Sequence, residues 1–168
     1  KAIKSHGIKI SYSPGTNKRS VSEMVISTAI LLLREAYKAN IYLKKRNWKQ
    51  HIGNLLSNKI VGIIGCGNIG KDLVTILKPF GCKILVFDIV DYKDFYIKNS
   101  IIKTSLENLL STSDIVTIHT PLNNSTENIL SKTKLNLMKK NSILINFARG
   151  GLVDEIELKN LLLKGKIK

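Results

Sequence analysis

Cysteines, acidic residues, aromatic residues and long apolar runs are all scarce in this chain of 168 residues. Its two cysteines, Cys66 and Cys82, are too few for a disulfide framework or a thiolate metal site, which favours a reducing, cytoplasmic setting. The longest apolar run, residues 29–33, is too short to span a bilayer, and no signal-peptide pattern is present. The sequence therefore predicts neither a membrane partner nor a metal site.

The shortage of acids leaves 27 Lys and Arg against 12 Asp and Glu, a net charge of +15. Such a balance can indicate a nucleic-acid or membrane-surface partner. Here the lysines are scattered along the chain, the densest cluster is residues 44–46, and no aromatic RNA-binding signature accompanies them. We interpret them as solvated surface charge that also attracts an anionic cofactor and acidic substrates, and we predict no nucleic-acid partner.

The most informative segment lies near the middle of the chain. An apolar, β-branched run beginning at Lys59 leads into a G-x-G-x-x-G motif at residues 65–70. A helix-compatible segment, residues 69–80, follows, and a second apolar run, residues 83–87, ends at an acid, Asp88. Strand, glycine motif, helix, strand and acid in this order are typical of a dinucleotide-binding site.

Each part of the motif has a physical purpose in such a site. Gly65 allows a tight turn out of the strand, Gly67 allows backbone to approach a pyrophosphate, and Gly70 allows the helix to lie close to the sheet. Asn68 and Ile69 then present backbone N–H groups to the phosphates at the positive end of the helix dipole. A purely structural glycine turn is the alternative reading.

The acid at the end of the second strand specifies the cofactor further. Asp88 can accept hydrogen bonds from both hydroxyls of the adenosine ribose, and its charge would repel a 2′-phosphate. The sequence therefore predicts NAD as the cofactor, in preference to NADP.

The segment before this motif predicts a helix with an unusually apolar surface. After a possible short strand at residues 8–11 and a turn at 13–17, Ser20 with Glu23 forms a potential capping box. Apolar residues then recur at helical spacing to about Leu43, and residues 44–58, with the only tryptophan, form an irregular linker. We expect this helix to pack on something beyond the domain.

The rest of the chain alternates between strands and helices. Further strands are predicted at residues 100–102, 114–119 and 142–147, and helices begin at 104 or 105 and span 133–140 and 154–164. The pattern predicts an α/β fold, a Rossmann-type doubly wound parallel sheet covered on both faces. Ligands of such sheets bind beyond the carboxyl ends of the strands. Besides the glycine motif and Asp88, those ends present His119, Thr120, Pro121, Ala148 and Arg149.

Taken in order, these segments resemble the D-isomer-specific 2-hydroxyacid dehydrogenases, and the opening resembles phosphoglycerate dehydrogenases most. The resemblance rests on residues 13–17, 20–23, 61–70, 114–122 and 146–155. It implies that residues 1–168 are the NAD-binding domain of a two-domain enzyme whose substrate domain is absent here. Residues 1–19 would lead in from the other domain, residues 20–43 would form the long helix, and residues 59–168 would form the Rossmann core. In the family this long helix contributes to a homodimer contact, which the resemblance implies here as well.

The implied reaction is hydride transfer between NAD and a D-2-hydroxy acid, with 3-phosphoglycerate as one candidate. Arg149 matches the family's arginine for the substrate carboxylate, while the family's catalytic Glu and His lie beyond Lys168, so the chain alone is expected to be inactive. His119, Thr120, Pro121 and Ala148 match cofactor-side positions, and we reject His119 as the acid or base. His6 and His51 read as surface histidines.

A second hypothesis belongs to another class of protein. The same fold serves in co-repressors of this family, where NAD binding drives association with partners rather than catalysis. The high positive charge favours a macromolecular partner slightly. Arg149 favours the enzyme, although such regulators can keep the catalytic residues.

Overall fold

A five-stranded parallel sheet forms the centre of the protein, in the strand order β3-β2-β1-β4-β5. The structure, a computed structural model, describes residues 6–9 and 11–168. The strands are β1 (Ile60–Ile64), β2 (Lys83–Phe87), β3 (Ile102–Lys103), β4 (Ile115–Ile118) and β5 (Ile143–Asn146). The helices are α1 (Lys18–Leu33), α2 (Ala36–Lys44), α3 (Asn68–Leu77), α4 (Lys93–Asn99), α5 (Leu106–Thr112), α6 (Lys132–Asn136) and α7 (Glu155–Leu163), and a 3₁₀ turn (Lys78–Phe80) extends α3.

Alternate residues of the strands enter two separate cores, because successive side chains of a strand point to opposite faces. On one face Ile63 packs with Val25 of α1 and Leu73 of α3. On the other face Ile64 packs with Leu109 of α5 and with the apolar side chains of α6 and α7. Both faces of the sheet are covered, which explains why its central strands are apolar throughout. The predicted doubly wound parallel sheet is confirmed.

The last residues of the chain add to the edge of this sheet. Gly165 ends α7 with a φ of +62°, and Ile167 then forms a parallel bridge with Ser142. The N–H of Lys168 donates to the carbonyl of Ser142 at 2.9 Å, and the N–H of Leu144 donates to the carbonyl of Lys168 at 2.9 Å. The chain therefore leaves α7 through a left-handed glycine and extends along β5.

The single helix predicted for residues 20–43 is wrong, because two helices occupy this region. The chain breaks between α1 and α2, where Glu35 adopts a left-handed conformation with a φ of +52°. Tertiary contacts fix the break: the N–H of Asn54 donates to the carbonyl of Leu33 at 2.9 Å, and Gly53 packs against the backbone of Arg34. The hydrophobic periodicity continues through the break and therefore does not reveal it.

The predicted capping box at Ser20 is also wrong. Helix α1 begins at Lys18, and the hydroxyl of Ser20 donates to the carbonyl of Asn17 at 2.9 Å instead of capping the helix. The turn predicted at residues 13–17 is confirmed over 14–17. In the strand predicted at 8–11, residues 8, 9 and 11 belong to no strand, and Ile10 lies outside the described residues.

The second half differs from the prediction in several details, and the helix predicted at residues 133–140 spans Lys132–Asn136 as α6. Helix α4 occupies a stretch after Asp88 for which no element was predicted, and β3 spans Ile102–Lys103 rather than 100–102. Helix α7 begins after Asp154, whose carboxylate accepts from the N–H of Glu157 at 3.0 Å. Ile156 of this helix is 79% exposed and does not belong to its buried face. Within the described part of the chain, no helix is both long and apolar enough to cross a membrane.

Candidate functional site

The glycine turn joins β1 to α3, and its three glycines meet different surroundings. Gly65 has a φ of +95°, a conformation that side chains disfavour, and a Cβ there would lie 2.8 Å from the carbonyl oxygen of His119. A Cβ on Gly70 would lie only 2.2 Å from the carbonyl oxygen of Gly65. A Cβ on Gly67 would meet nothing within 4 Å. Gly65 and Gly70 are therefore required by packing, whereas Gly67 leaves open space in front of the turn.

The start of α3 faces this open space with unpaired backbone donors. Gly67 stands at the N-cap without a side-chain cap, and the first turn of a helix has no internal acceptors for its N–H groups. Asn68 and Ile69 supply the first of these donors. The side chain of Asn68 turns away toward the lead-in, where a Cβ on Gly15 would lie 2.9 Å from its Nδ2. The arrangement suits a pyrophosphate, which binds helix N-termini through backbone N–H groups.

Asp88 lies directly after β2 and holds two backbone donors. One carboxylate oxygen accepts from the N–H of Cys66 at 2.5 Å, and the other accepts from the N–H of Val90 at 2.7 Å. An ionised carboxylate has about four acceptor positions, so about two remain for the hydroxyls of a ribose. The bond to Cys66 connects the acid to the glycine turn, a link that the sequence spacing did not reveal.

Two cavities open at the carboxyl ends of the strands and share the residues His119, Thr120 and Pro121. The Asp88 cavity has a volume of about 480 Å³ and is lined also by Gly65, Gly67, Val90 and Tyr92, among others. The Arg149 cavity has a volume of about 640 Å³ and is lined also by Asn17, Ile69, Phe147, Ala148 and Arg149. Every predicted site residue except Asn68 and Gly70 lines one or both of them, and these two lie in the first turn of α3.

His119 lies half-buried between the two cavities. Its Nε2 and the hydroxyl of Thr117 share a hydrogen bond of 2.9 Å. Burial lowers the pKa of His119 to about 4, because a charged imidazolium would be poorly solvated there. The side chain is therefore neutral near pH 7, which argues against a role as a general base that becomes charged. The rejection of His119 as the acid or base stays a prediction.

Two buried polar atoms of this strand end have no hydrogen-bond partner within the described residues. They are Nδ1 of His119 and the hydroxyl oxygen of Thr120. An unpaired polar atom in a protein interior is costly, and each such group calls for a reason. Since both residues line the cavities, a bound ligand with hydrogen-bonding groups can supply the missing partners. Together with the open space at Gly67, this shows that the residues present fit a dinucleotide.

Arg149 and Ala148 lie in a turn that follows β5. The turn is fixed by Asn146, whose side-chain amide donates to the carbonyl of Arg149 at 2.8 Å and whose oxygen accepts from the N–H of Ala148 at 3.0 Å. The guanidinium of Arg149 donates to the carbonyl of Ala148 at 2.7 Å. Its remaining donors can bind an anion such as a carboxylate. Our interpretation of the sequence assigned no role to Asn146, although Asn before a turn is a known signal of this kind of bond.

Cys66 and His51 do not add chemistry to the site. Burial raises the pKa of the Cys66 thiol to about 11, with the charge of Asp88 acting in the same direction, so the thiol stays protonated and unreactive. His51, predicted to be a surface residue, has a side chain only 10% exposed, with Nδ1 lying 3.6 Å from a carboxylate oxygen of Glu35. Among the described residues no cluster of three or more His, Cys, Asp or Glu side chains could hold a metal.

Comparison with known proteins assigns the chain to one family. Residues 26–168 match the family description "D-isomer specific 2-hydroxyacid dehydrogenase, NAD binding domain". The chain is 34% identical over 164 residues to D-3-phosphoglycerate dehydrogenase of Bacillus subtilis, covering 96% of this chain and 31% of that protein. It is 32% identical over 174 residues to hydroxypyruvate reductase of Thermotoga maritima, covering 98% of this chain and 53% of that protein.

Solved structures give the same result. D-lactate dehydrogenase from Aquifex aeolicus, solved in complex with NAD and lactic acid, superposes with a TM-score of 0.90 at 30% identity. The superposition covers 99% of this chain and 50% of that chain. The chain thus spans about half, or less, of the length of the proteins that it matches.

Proposed function

The chain belongs to the D-isomer specific 2-hydroxyacid dehydrogenases, of which it is the NAD-binding domain, and we propose that the protein containing it is an oxidoreductase that transfers hydride between NAD and a D-2-hydroxy acid. The observation that carries this proposal is the pair of cavities that share His119, Thr120 and Pro121. One cavity contains an acid, Asp88, that can bind a ribose, and the other contains an arginine, Arg149, that can bind a carboxylate. Such an arrangement fits a dinucleotide lying across the strand ends, with its reactive end beside the substrate.

The residues of this chain perform binding and orientation in the proposed reaction. We assign Gly65, Gly67 and the start of α3 to the pyrophosphate and Asp88 to the adenosine ribose. When bound, the nicotinamide accepts or supplies the hydride. His119 and Thr120 contribute the walls that hold the cofactor, while neutral His119 leaves proton transfer to other groups.

We assign Arg149 to the substrate carboxylate, since its planar fork can bind both carboxylate oxygens at once. This interaction would fix C2 of the substrate relative to the cofactor, and correct orientation contributes a large share of catalysis in reactions of two bound molecules. We assign no residue of this chain to the acid–base step, which the family resemblance gives to a Glu and a His. Turnover is expected of the protein that contains this domain together with those two residues.

The experiment that tests the proposal measures NADH oxidation at 340 nm by the intact protein with a panel of 2-oxo acids, including pyruvate, hydroxypyruvate and 3-phosphohydroxypyruvate. We expect turnover with at least one of them and D stereochemistry in the product. Absence of turnover with any 2-oxo acid, in a protein that binds NADH, would contradict the enzymatic function. The comparisons give no support for a co-repressor, and we do not propose one.

The same panel of 2-oxo acids would identify the substrate of the protein within this class. The similar proteins include 3-phosphoglycerate, hydroxypyruvate and lactate enzymes at 30–34% identity, a range too narrow to favour one of them. The resemblance of residues 13–23 to phosphoglycerate dehydrogenases supports 3-phosphoglycerate as the first substrate to try.

We also propose a homodimer formed through α1 and α2. Apolar side chains are exposed there, among them Met24 (51%), Leu31 (43%), Ile41 (49%) and Leu43 (59%). Large exposed apolar patches of this kind mark interaction surfaces. Sedimentation of the intact protein should show a dimer, and Leu31→Glu with Ile41→Glu should yield monomers. Ile156→Glu on α7, where the side chain is 79% exposed, serves as the matched control.

We further propose a reducing, cytoplasmic location. The support is that both cysteines are free, with Cys66 buried and Cys82 partly buried. Fractionation of cells followed by detection of the intact protein tests this proposal, and recovery outside the cytoplasm would contradict it.

A further inference from the structure

The loop that connects β2 to α4 forms the outer wall of the Asp88 cavity, and both backbone polar groups of one of its residues, Val90, form hydrogen bonds. The carboxylate of Asp88 accepts from the N–H of Val90 at 2.7 Å, and the hydroxyl of Tyr96 donates to the carbonyl of Val90 at 3.3 Å. Tyr92 is the last residue of this loop that lines the cavity. None of these contacts reaches across to the phosphate helix α3.

A lysine of α3 makes that connection. The ammonium of Lys71 lies 3.5 Å from the centroid of the Tyr92 ring and 5.6 Å from that of Phe95. The Tyr92 ring meets the ring of Tyr96 edge-on, with centroids 6.2 Å apart. Lys71 forms no salt bridge with any acid in the part of the chain that the structure describes. The aromatic face is therefore its main partner, in the arrangement that favours a cation–π interaction.

Lys71 lies one residue beyond Gly70, in the first turn of the helix whose N-terminus faces the cofactor phosphates. The contact with Tyr92 therefore joins the element that binds the pyrophosphate to the loop that encloses the adenosine end. Lys71 itself is not among the residues that line either cavity.

We propose that Lys71 is a positioning residue for cofactor binding: through its ammonium it holds Tyr92, and with it the adenosine wall, in the geometry that accepts the cofactor. The inference rests on the proposed function, since it concerns the same NAD site. In this proposal Lys71 does not bind the phosphates. Its ammonium acts on the cofactor site through its contact with the ring of Tyr92.

The test measures the Kd of NADH by calorimetry for the wild-type intact protein and for Lys71→Met, Tyr92→Leu and the double variant. We expect each single substitution to raise the Kd about three- to tenfold, since cation–π contacts contribute on this scale. The double variant should raise the Kd no more than the stronger single one, because both remove the same contact. Lys71→Arg, which can also stack on the ring, should remain within about twofold of wild type.

Lys78→Met is the matched control, since Lys78 is an exposed lysine in the 3₁₀ turn after α3 and forms no cation–π contact with a ring of the described residues. It should leave the Kd unchanged. If Lys71→Met raises the Kd while Tyr92→Leu leaves it normal, the proposal is overturned. Such a result would indicate that the charge of the lysine acts directly on the phosphates. Effects that multiply in the double variant would overturn the proposal as well. Failure of the wild-type protein to bind NADH would instead contradict the proposed function.

Discussion

The carboxylate of Asp88 and the backbone N–H of Cys66 are joined by a hydrogen bond of 2.5 Å across 22 positions of sequence. The acid at the end of β2 thereby holds the glycine turn that follows β1. The same carboxylate accepts from the N–H of Val90, so one side chain orients both the phosphate turn and the loop beside it. Asp88 is thus a structural residue of the site in addition to the group assigned to the ribose.

The first prediction concerns cofactor choice. We expect calorimetry on the wild-type protein to show NADH binding about tenfold or more tighter than NADPH, because the charge of Asp88 repels a 2′-phosphate. Asp88→Ala should narrow this ratio, since the repelling carboxylate is removed. Its affinity for NADH should also fall, because Cys66 and Val90 lose their acceptor.

Asp91→Ala provides the control for this comparison. Asp91 lies on the same loop, but its carboxylate pairs with Lys103 at 3.1 Å instead of holding the glycine turn. The ratio of NADH to NADPH affinity should stay at the wild-type value in this variant. Equal affinities of the two cofactors for the wild-type protein would show that Asp88 does not select NAD.

The second prediction separates the two roles of glycine in the turn. Gly67→Ala should leave the melting temperature nearly unchanged, since its Cβ would meet nothing within 4 Å, but it should weaken NADH binding by filling the space before α3. Gly70→Ala should lower the free energy of unfolding by about 1–3 kcal/mol, a typical cost of overpacking. The reason is a Cβ placed 2.2 Å from the carbonyl oxygen of Gly65.

Thermal denaturation and calorimetry on both variants check this prediction. We expect Gly67→Ala to lose affinity for NADH while keeping its stability. We expect Gly70→Ala to lose stability. A Gly67→Ala protein that binds NADH normally would mean that the open space before the helix is not used by the cofactor.

The sequence predicted the centre of the fold because local physics determines it. The strands β1 and β2, the turn between β1 and α3 and the glycine at residue 65 follow from apolar runs and from the steric freedom of glycine. Asp88 and Arg149 were identified as candidates because parallel strands end at one edge of a sheet. Their positions beside the two cavities agree with that argument.

The features that were missed depend on contacts between distant segments. The break at Glu35 is fixed by Asn54, which lies 19 positions later, and periodicity carries no record of such a bond. His51 was read as a surface residue because no acid is near it in sequence, yet its imidazole faces Glu35 across the fold. The lysine–tyrosine contact of residues 71 and 92 could not be derived from spacing either.

The third prediction concerns pH and stability through His119. Its pKa is lowered to about 4 by burial, whereas the unfolded chain titrates near its ordinary value of about 6.5. Between these two values the unfolded state binds a proton that the folded state does not. The contribution of His119 to stability is therefore fully present above pH 6.5 and is lost as the pH falls toward 4, by about 1.4 kcal/mol per pH unit at most.

Urea unfolding of the wild-type protein and of His119→Gln between pH 4 and 8 measures this effect. The difference in the free energy of unfolding between the two proteins should be constant above about pH 7 and should change steadily below about pH 6.5. A difference that is independent of pH across the whole range would show that His119 is not held neutral by the fold.

The fourth prediction concerns the residue assigned to the substrate. Arg149→Lys in the intact protein should lower kcat/KM for the preferred 2-oxo acid about a hundredfold, because an ammonium cannot reproduce the bidentate hold on a carboxylate and the substrate loses its orientation. The Kd of NADH should stay within about twofold, since Asp88 and the glycine turn are unchanged. Arg34→Lys, at the break between α1 and α2, is the control and should leave both quantities at wild-type values. Normal kcat/KM in Arg149→Lys would contradict the assignment of Arg149 to the substrate. A loss confined to NADH affinity would assign the residue to the cofactor instead.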